Sequence, residues 1–308
     1  MFSIVIPLYN KEKHILETLN CIMRQTIQDF EIIIIDDGST DNGPSIIKRL
    51  NNPKIRLINQ PNKGASAARN KGVQEANNKY IAFLDADDIW KDNYLERMQR
   101  LILKFPNAVA YGSNYEILEK GNIRVLDYPN LKNGSEIMDN YFISGKVFTP
   151  LWTSAVVVNR DVFLAVGGFP LNCKVCEDID LWCRLALYGD IAYCNEPLAR
   201  YIRDSTNMLS RSKSSCYFPF LDNYKELITI NEKRKQDIID FVTYKKIVAA
   251  WHALFVMNNG KYSRQIIESI GNKNNYSKKI KLYKIVSYFP NCFIKIITKI
   301  KMKNGDKQ

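Results

Sequence analysis

Three carboxylates stand within four positions at Asp85-Ala86-Asp87-Asp88, directly after the apolar run Ile81 to Leu84. Like charges this close are costly unless a cation shares them. The chemistry that suits them is a hard divalent cation, Mn²⁺ or Mg²⁺, held by carboxylate oxygen and by substrate phosphates. A solvated acidic turn gives the same letters, since Asp-x-Asp alone is common. A second acidic group, Asp36-Asp37-Gly38-Ser39, can accept a hydrogen bond from a nucleobase N–H or simply form a turn. Arg69 can pair with the acidic centre or with a phosphate, or lie on the surface of an Ala-rich helix. Glu177-Asp178 offers a general base for a hydroxyl that attacks near a leaving diphosphate; acids at a helix N-terminus are the plain alternative.

These residues need elements to hold them. Phe2 to Pro7, Phe30 to Ile35, Lys54 to Asn59 and Tyr80 to Leu84 read as buried strands, rich in β-branched residues. Helical patterns separate them: one through Ile15, Leu19 and Ile22 with Asn10 as its cap, one after Asp41, and one from Gly64 onward. Strands and helices alternating at this spacing predict an α/β fold with a mostly parallel sheet covered on both faces. Ligands of such sheets bind at the carboxyl ends of strands, where Asp36-Asp37, Lys63 to Asn70 and Asp85 to Asp88 all fall. Further on, Leu95 to Phe105 reads as a helix and Ala108 to Tyr111 as a strand. Tyr115 to Leu126 reads as a hairpin and Ala155 to Val158 as a strand ahead of a Gly167-Gly168 turn.

The net charge of +12 is uneven. Residues 1–220 carry 26 Lys and Arg against 25 Asp and Glu, and residues 221–308 carry 18 against 7. A basic C-terminal part points to a polyanion, either nucleic acid or an anionic membrane surface. Between Lys278 and Lys303 there are eight lysines and no acids, with Phe293, Ile296, Ile297 and Ile300 on one helical face and Pro290 dividing the segment. This fits an interfacial helix on anionic lipid, or equally a basic helix packed on the protein. No apolar run reaches transmembrane length, and the opening residues are too short and uncharged for a signal peptide. Seven cysteines without such a signal suggest reduced thiols in the cytoplasm, and Cys173-x-x-Cys176 lacks the second pair that zinc would need. Two histidines, His14 and His252, exclude a multi-histidine metal site.

Taken together, five motifs resemble the inverting glycosyltransferases of family 2. They are Ser3-Ile4-Val5-Ile6-Pro7-Leu8-Tyr9-Asn10-Lys11, Asp36 to Asp41, Asn62-Lys63-Gly64 with Ala68-Arg69-Asn70, Phe83 to Asp88, and Glu177-Asp178. The resemblance covers about residues 1–205. It implies the GT-A fold, a Rossmann-like sheet flanked by helices, over residues 1–216, with residues 217–308 as a basic helical extension. Pro7, Tyr9 and Glu12 would line the nucleotide pocket and Asp37 would contact the base. Arg69 would lie near the ribose, the phosphates or the acidic motif. Asp85 would reach the ribose, Asp87 would ligate Mn²⁺ or Mg²⁺, and Asp178 would be the base. The same resemblance implies a UDP-sugar donor and a carbohydrate acceptor; a lipid-linked glycan of a bacterial surface polysaccharide as that acceptor rests on the basic tail and the family's habits, and a cytoplasmic place on the inner face of the cell membrane rests on the cysteines and that tail.

One departure stands out. Many relatives carry a histidine after the last core strand, and here Arg203 falls at that place, in Arg200 to Ser205. An arginine can hold a diphosphate but cannot ligate a metal, so Arg203 is expected to contact phosphate directly. Two other readings compete. A sugar-phosphate nucleotidyltransferase would need a Gly-rich basic loop after the first strand, which Pro7 to Glu12 does not provide. A nucleic-acid-binding protein would explain the basic tail, but the acidic crevice would repel a phosphate backbone.

Overall fold

The computed structural model describes residues 1–127, 137–138, 140–147, 149–173, 175–203, 217–270 and 276–288. The chain divides into two compact units, residues 1–173 with 177–208, and residues 174–176 with 209–308.

The first unit opens with β1 (Phe2–Leu8), α1 (Ile15–Met23), β2 (Phe30–Asp36), α2 (Gly43–Arg49), β3 (Ile55–Asn59), α3 (Ala65–Gln74) and β4 (Tyr80–Phe83). It continues through β5 (Ile89–Trp90), α4 (Tyr94–Lys104), β6 (Ala110–Glu119), β7 (Asn122–Val125), β8 (Ile137–Met138) and α5 (Tyr141–Ser144). Then come β9 (Val156–Asn159), α6 (Arg160–Ala165), α7 (Glu177–Tyr188) and β10 (Ile191–Ile202). One mixed sheet runs β3-β2-β1-β4-β9-β6-β10-β5. Its long ladders are parallel: β1 lies between β2 and β4, and β6 lies along β10. Its short ones are antiparallel, with β9 set between β4 and β6.

Both faces of the sheet are covered, so Ile4, Val5, Ile6 and Ile32 to Ile35 are fully buried, and their strands read as unbroken apolar runs. Ile4, Ile6, Ile32 and Ile34 share one core with Ile15, Leu19 and Ile22 of α1 and Leu95 and Met98 of α4. On the opposite face α3 comes so close that a Cβ at Gly72 would stand 2.3 Å from Val5 Cγ1. Pro7 is tolerated inside β1 because β4 leaves the ladder first. Val5 pairs Phe83, Leu84 N–H donates to the Val5 carbonyl, and no β4 residue pairs with Pro7.

The α/β fold and its mostly parallel, helix-flanked sheet are as expected. Several details differ. The strand expected over Ala108 to Tyr111 is the start of a ten-residue β6, and the hairpin is β6 with β7. Asn10 does not cap α1; it takes φ = 52° and its side chain accepts from Thr40, leaving His14 at the cap position without a side-chain hydrogen bond. Cys176 is disulfide-bonded, against the expectation of reduced thiols, whereas Cys21 and Cys194 are free and buried.

The second unit is helical: α8 (Phe220–Leu227), a 3₁₀ segment (Ile228–Arg234), α9 (Lys235–Phe255), α10 (Gly260–Glu268) and α11 (Ser277–Val286). Ala250, Leu254, Ile266, Ile267, Tyr283 and Val286 form its core. Tyr283 and Val286 hold α11 to that core, while Lys278, Lys281, Leu282 and Ile285 are exposed. Pro290 and the apolar positions Phe293, Ile296, Ile297 and Ile300 lie outside the described residues. Among the described residues no helix is long and apolar enough to cross a membrane.

Candidate active site

The loops after β1 and β2 are joined side chain to backbone. Asp36 Oδ1 accepts from Ser39 N–H (2.9 Å), and Asn10 Oδ1 accepts from Thr40 N–H (2.8 Å). Glu12 N–H donates to Asp41 (2.8 Å), and the Glu12 carboxylate accepts from Asn42 N–H (3.0 Å) at the start of α2. Buried Asp37 organises the next loop. Its Oδ1 accepts from Gln60 Nε2 (2.7 Å) and Lys63 N–H (2.8 Å), and its Oδ2 from Gly64 N–H (2.8 Å), where α3 begins. Tyr9 is exposed at the end of β1, and Pro7 is half-buried.

The three carboxylates after β4 have three different surroundings. Asp85 Oδ1 receives Arg69 Nη2 at 2.6 Å, and Asp87 Oδ2 lies 2.6 Å from Lys11 Nζ. Asp88 is buried and accepts from the Ser154 hydroxyl (2.6 Å) and from Ile202 N–H (3.3 Å) of β10. Burial, then Asp87 and Asp85, push the Asp88 carboxyl well above the usual carboxylate range. Ser154 also accepts from Asp85 N–H (3.0 Å), and its carbonyl accepts from Trp90 Nε1 (2.6 Å). One serine thus fixes both ends of the acidic turn. The Thr18 hydroxyl of α1, close to the Ala86 and Asp88 carbonyls, fixes it from below.

Arg69 ties this turn to the start of α7. Its guanidinium is 5% exposed, reaches Glu177 Oε1 at 3.3 Å as well as Asp85, and lies 5.3 Å from the centre of the Phe169 ring. Burial works against its charge, and Asp85 and Glu177 more than offset that, so its pKa lies above the usual value. The Phe169 backbone is held in turn by the Asn70 side chain, which donates to its carbonyl and accepts its N–H, both at 2.8 Å. Gly168 must be glycine: its φ is +67°, and a Cβ would stand 2.6 Å from Asn70 Oδ1. Asp178 follows Glu177 on the first turn of α7 and accepts from Ile179 N–H (2.8 Å). Burial, then the Glu177 charge, push its carboxyl up to about 7, against the opposing effect of Arg69. Such a carboxyl can take a proton near neutral pH.

Direct contacts therefore join Lys11 to Asp87 and Arg69 to Asp85 and Glu177, next to Asp178. Asp37 lies at the loop that feeds α3. Glu12 turns towards α2, and Arg203 Nη1 lies 3.4 Å from Glu119, one residue past the Ile202 N–H that Asp88 accepts. The expectations named no role for Lys11 and did not include Ser154. Lys11 lies inside a quoted motif, but Ser154 carries no sequence signal, because its contacts join segments 66 and 69 residues apart.

Among the described residues no group of three His, Cys, Asp or Glu side chains is arranged to hold a metal ion. Mg²⁺ and Mn²⁺ use one or two carboxylates and complete their shell with water and substrate phosphates. The hard oxygen of Asp87, at the end of a strand and 14% exposed, fits such an ion.

A strand-end acidic turn joined by a buried arginine to a second acidic pair, on a mostly parallel sheet, places the molecule among α/β proteins of the GT-A type. The chain belongs to glycosyl transferase family 2, whose profile matches residues 3–163. An uncharacterized glycosyltransferase of Rickettsia felis is 29% identical over 295 residues, which is 92% of this chain and 46% of the relative. The Escherichia coli UDP-Glc:alpha-D-GlcNAc-diphosphoundecaprenol beta-1,3-glucosyltransferase WfgD is 37% identical over 124 residues, 40% of this chain and 49% of WfgD. The chain thus spans less than half the length of these two relatives. Among solved structures, residues 1–349 of Staphylococcus aureus TarS in complex with UDP-GlcNAc superpose with a TM-score of 0.65 at 18% identity, covering 93% of this chain and 90% of that one. The Pyrobaculum calidifontis mannosyltransferase PcManGT in complex with GDP-Man and Mn²⁺ gives 0.59 at 14%, covering 100% and 88%. At these identities the likeness concerns the fold.

Proposed function

We propose that this glycosyltransferase moves a sugar from a UDP-sugar to a hydroxyl of a carbohydrate acceptor, with inversion and with the help of a divalent cation. The observation that carries the reading is Asp178, a carboxyl poised at about 7 and linked through Glu177 and Arg69 to the acidic turn. Asp178 takes the acceptor proton as the acceptor oxygen forms its bond to the anomeric carbon. The bond from that carbon to the diphosphate breaks, and the nucleoside diphosphate leaves. One base and no enzymic nucleophile gives inversion; a retaining hydrolase would need two carboxyl groups about 5–5.5 Å apart. Asp87 would hold Mn²⁺ or Mg²⁺, which would supply positive charge to stabilise the leaving diphosphate.

Asp37 holds the loop before α3 and offers the second lone pair of Oδ2 to a base N–H. Asp85 serves the ribose, Pro7, Tyr9 and Glu12 border the nucleotide, and Arg203 meets the phosphates. WfgD, with its UDP-Glc donor and diphosphoundecaprenol-linked acceptor, supports a UDP-sugar and a lipid-linked acceptor in surface-polysaccharide synthesis. Exposed Leu282 and Ile285 among the lysines of α11 support residence on the anionic cytoplasmic face of a membrane, which sedimentation with anionic vesicles checks. The test of the main reading is a panel of UDP- and GDP-sugars with Mn²⁺, scored by release of nucleoside diphosphate. A UDP-sugar is expected to turn over. Failure of every donor, with no metal-dependent nucleotide binding, defeats the reading.

A further inference from the structure

Three aromatic rings that no step of the proposed transfer uses gather beside the acidic turn. Tyr115 of β6 and Tyr201 of β10 stand on one face of neighbouring strands, since Ala199 pairs Tyr115 and Tyr201 pairs Ile117. The Trp152 indole lies across both. Its ring centre is 4.6 Å from that of Tyr115 and 5.1 Å from that of Tyr201, with tilts of 37° and 43°. The Trp152 backbone is extended, so Leu151 points the other way and fills the space over Gly112 on the opposite face of the sheet. Tyr115 is buried, whereas Trp152 and Tyr201 are half-buried at the rim of the core.

The strand register sets these rings level with the turn. Ala82 pairs Val157 and Val157 pairs Tyr111, so Tyr115, further along β6 in the same direction, comes level with the turn that starts at Asp85. Hydrogen bonds tie the two features together. Ser154, which follows Trp152 by two residues, accepts from Asp85 N–H and donates to Asp88, and Ile202, next to Tyr201, donates its N–H to Asp88. In the sheet order β6 and β10 lie on the far side of β4 from β2 and Asp37. A nucleotide-sugar with its base at Asp37 and its diphosphate at Asp87 therefore runs with its sugar end towards the rings.

We propose that Trp152, backed by Tyr115 and Tyr201, is the platform on which a pyranose ring of the acceptor stacks. This role rests on the transfer proposed above and adds a place for the second substrate. The donor sugar is tethered by its diphosphate, but the attacking hydroxyl sits on an uncharged ring. Such a ring is positioned by its apolar C–H face and by hydrogen bonds, and an indole offers a flat apolar surface together with an N–H.

The test is saturation-transfer NMR on the full chain with UDP and Mg²⁺ present. The aromatic protons are irradiated, and the methyl glycosides of glucose, galactose, mannose and N-acetylglucosamine are observed. At least one glycoside is expected to take up saturation on the C–H protons of its ring. Trp152→Leu should cut that signal about threefold or more, and Trp152→Phe, which keeps a flat ring, should retain most of it. Trp152→Met is read in place of the leucine variant if thermal unfolding shows that the latter does not fold. No saturation of any glycoside, or equal saturation in wild type and Trp152→Leu, overturns the platform. If Trp152→Leu instead loses saturation only on the sugar of a UDP-sugar, the indole belongs to the donor and the acceptor assignment is overturned. Release of nucleoside diphosphate from a UDP-sugar scores the transferase separately. Turnover together with saturation that ignores Trp152 removes the platform alone, whereas Trp152-dependent saturation without turnover of any donor removes the transferase and with it the acceptor role of the indole.

Discussion

Asp85 and Asp87, after β4, each lie 2.6 Å from a cation, whereas Asp178, on the first turn of α7, has another carboxylate as its neighbour. The first pair is arranged to meet cations. The second site raises the proton affinity of its carboxyl to about 7 although a helix N-terminus favours the anion. The contrast shows how one functional group acquires opposite tasks. A cation within hydrogen-bond reach fixes a negative charge, and burial beside a like charge invites a proton. Arg69 touches both regions, and it leans to the donor side by 0.7 Å, the difference between 3.3 and 2.6 Å.

The comparison breaks most sharply at the proposed base. Asp178→Asn should lower transfer by about 10²- to 10⁴-fold while donor binding stays near wild type; equal loss of both in transfer and binding assays would reassign Asp178 to binding. Next in size is Arg69→Met, which leaves Asp85 and Glu177 facing each other without their shared cation. It should cost about 3 kcal/mol in denaturant unfolding, the scale for breaking a buried pair from one side. Ser154→Ala removes the partner of buried Asp88 and of Asp85 N–H, and a loss of about 1–3 kcal/mol is expected in the same measurement.

The smallest effect is the most specific. If Asp178 is the proposed base, its deprotonated form is the active one, and the transfer rate should rise with pH through about 7. Glu177→Gln removes the like charge and releases Arg69 towards Asp178. Both changes favour the anion, so the rising limb should move to lower pH. Stability carries the opposite sign for this group. A carboxyl raised from 3.8 to about 7 binds its proton more tightly in the folded state, so its contribution fades as pH rises from about 4 to 7. Asp178→Asn should flatten that part of the stability profile.

Much of this was legible in the chain. The strands before Asp36, Asp85 and the Asn62-to-Gly64 loop could be read because buried parallel strands are continuous apolar runs, and the candidate site residues follow at their ends. The place of β9 was not legible. Val156-Val157-Val158 looks the same whichever way it runs, and only its neighbours reveal that it enters antiparallel. Asn10 misled because an Asn before a helical pattern suits a cap, and a tertiary partner, Thr40, claimed its side chain instead. Ser154 was silent because hydroxyls are common and its value comes entirely from Asp88, far away in sequence.

The position of β9 has a further consequence, for the order of assembly. Ladders β3-β2-β1-β4 and β6-β10 are each parallel, and in the described sheet four residues of β9 lie between β4 and β6. The first ladder can form from chain already made by Phe83. Its exposed β4 edge must then wait for a segment more than 70 residues later. That closure, a distant pairing made through three fully buried valines, is the step at which a half-built sheet is most open to pairing with another chain.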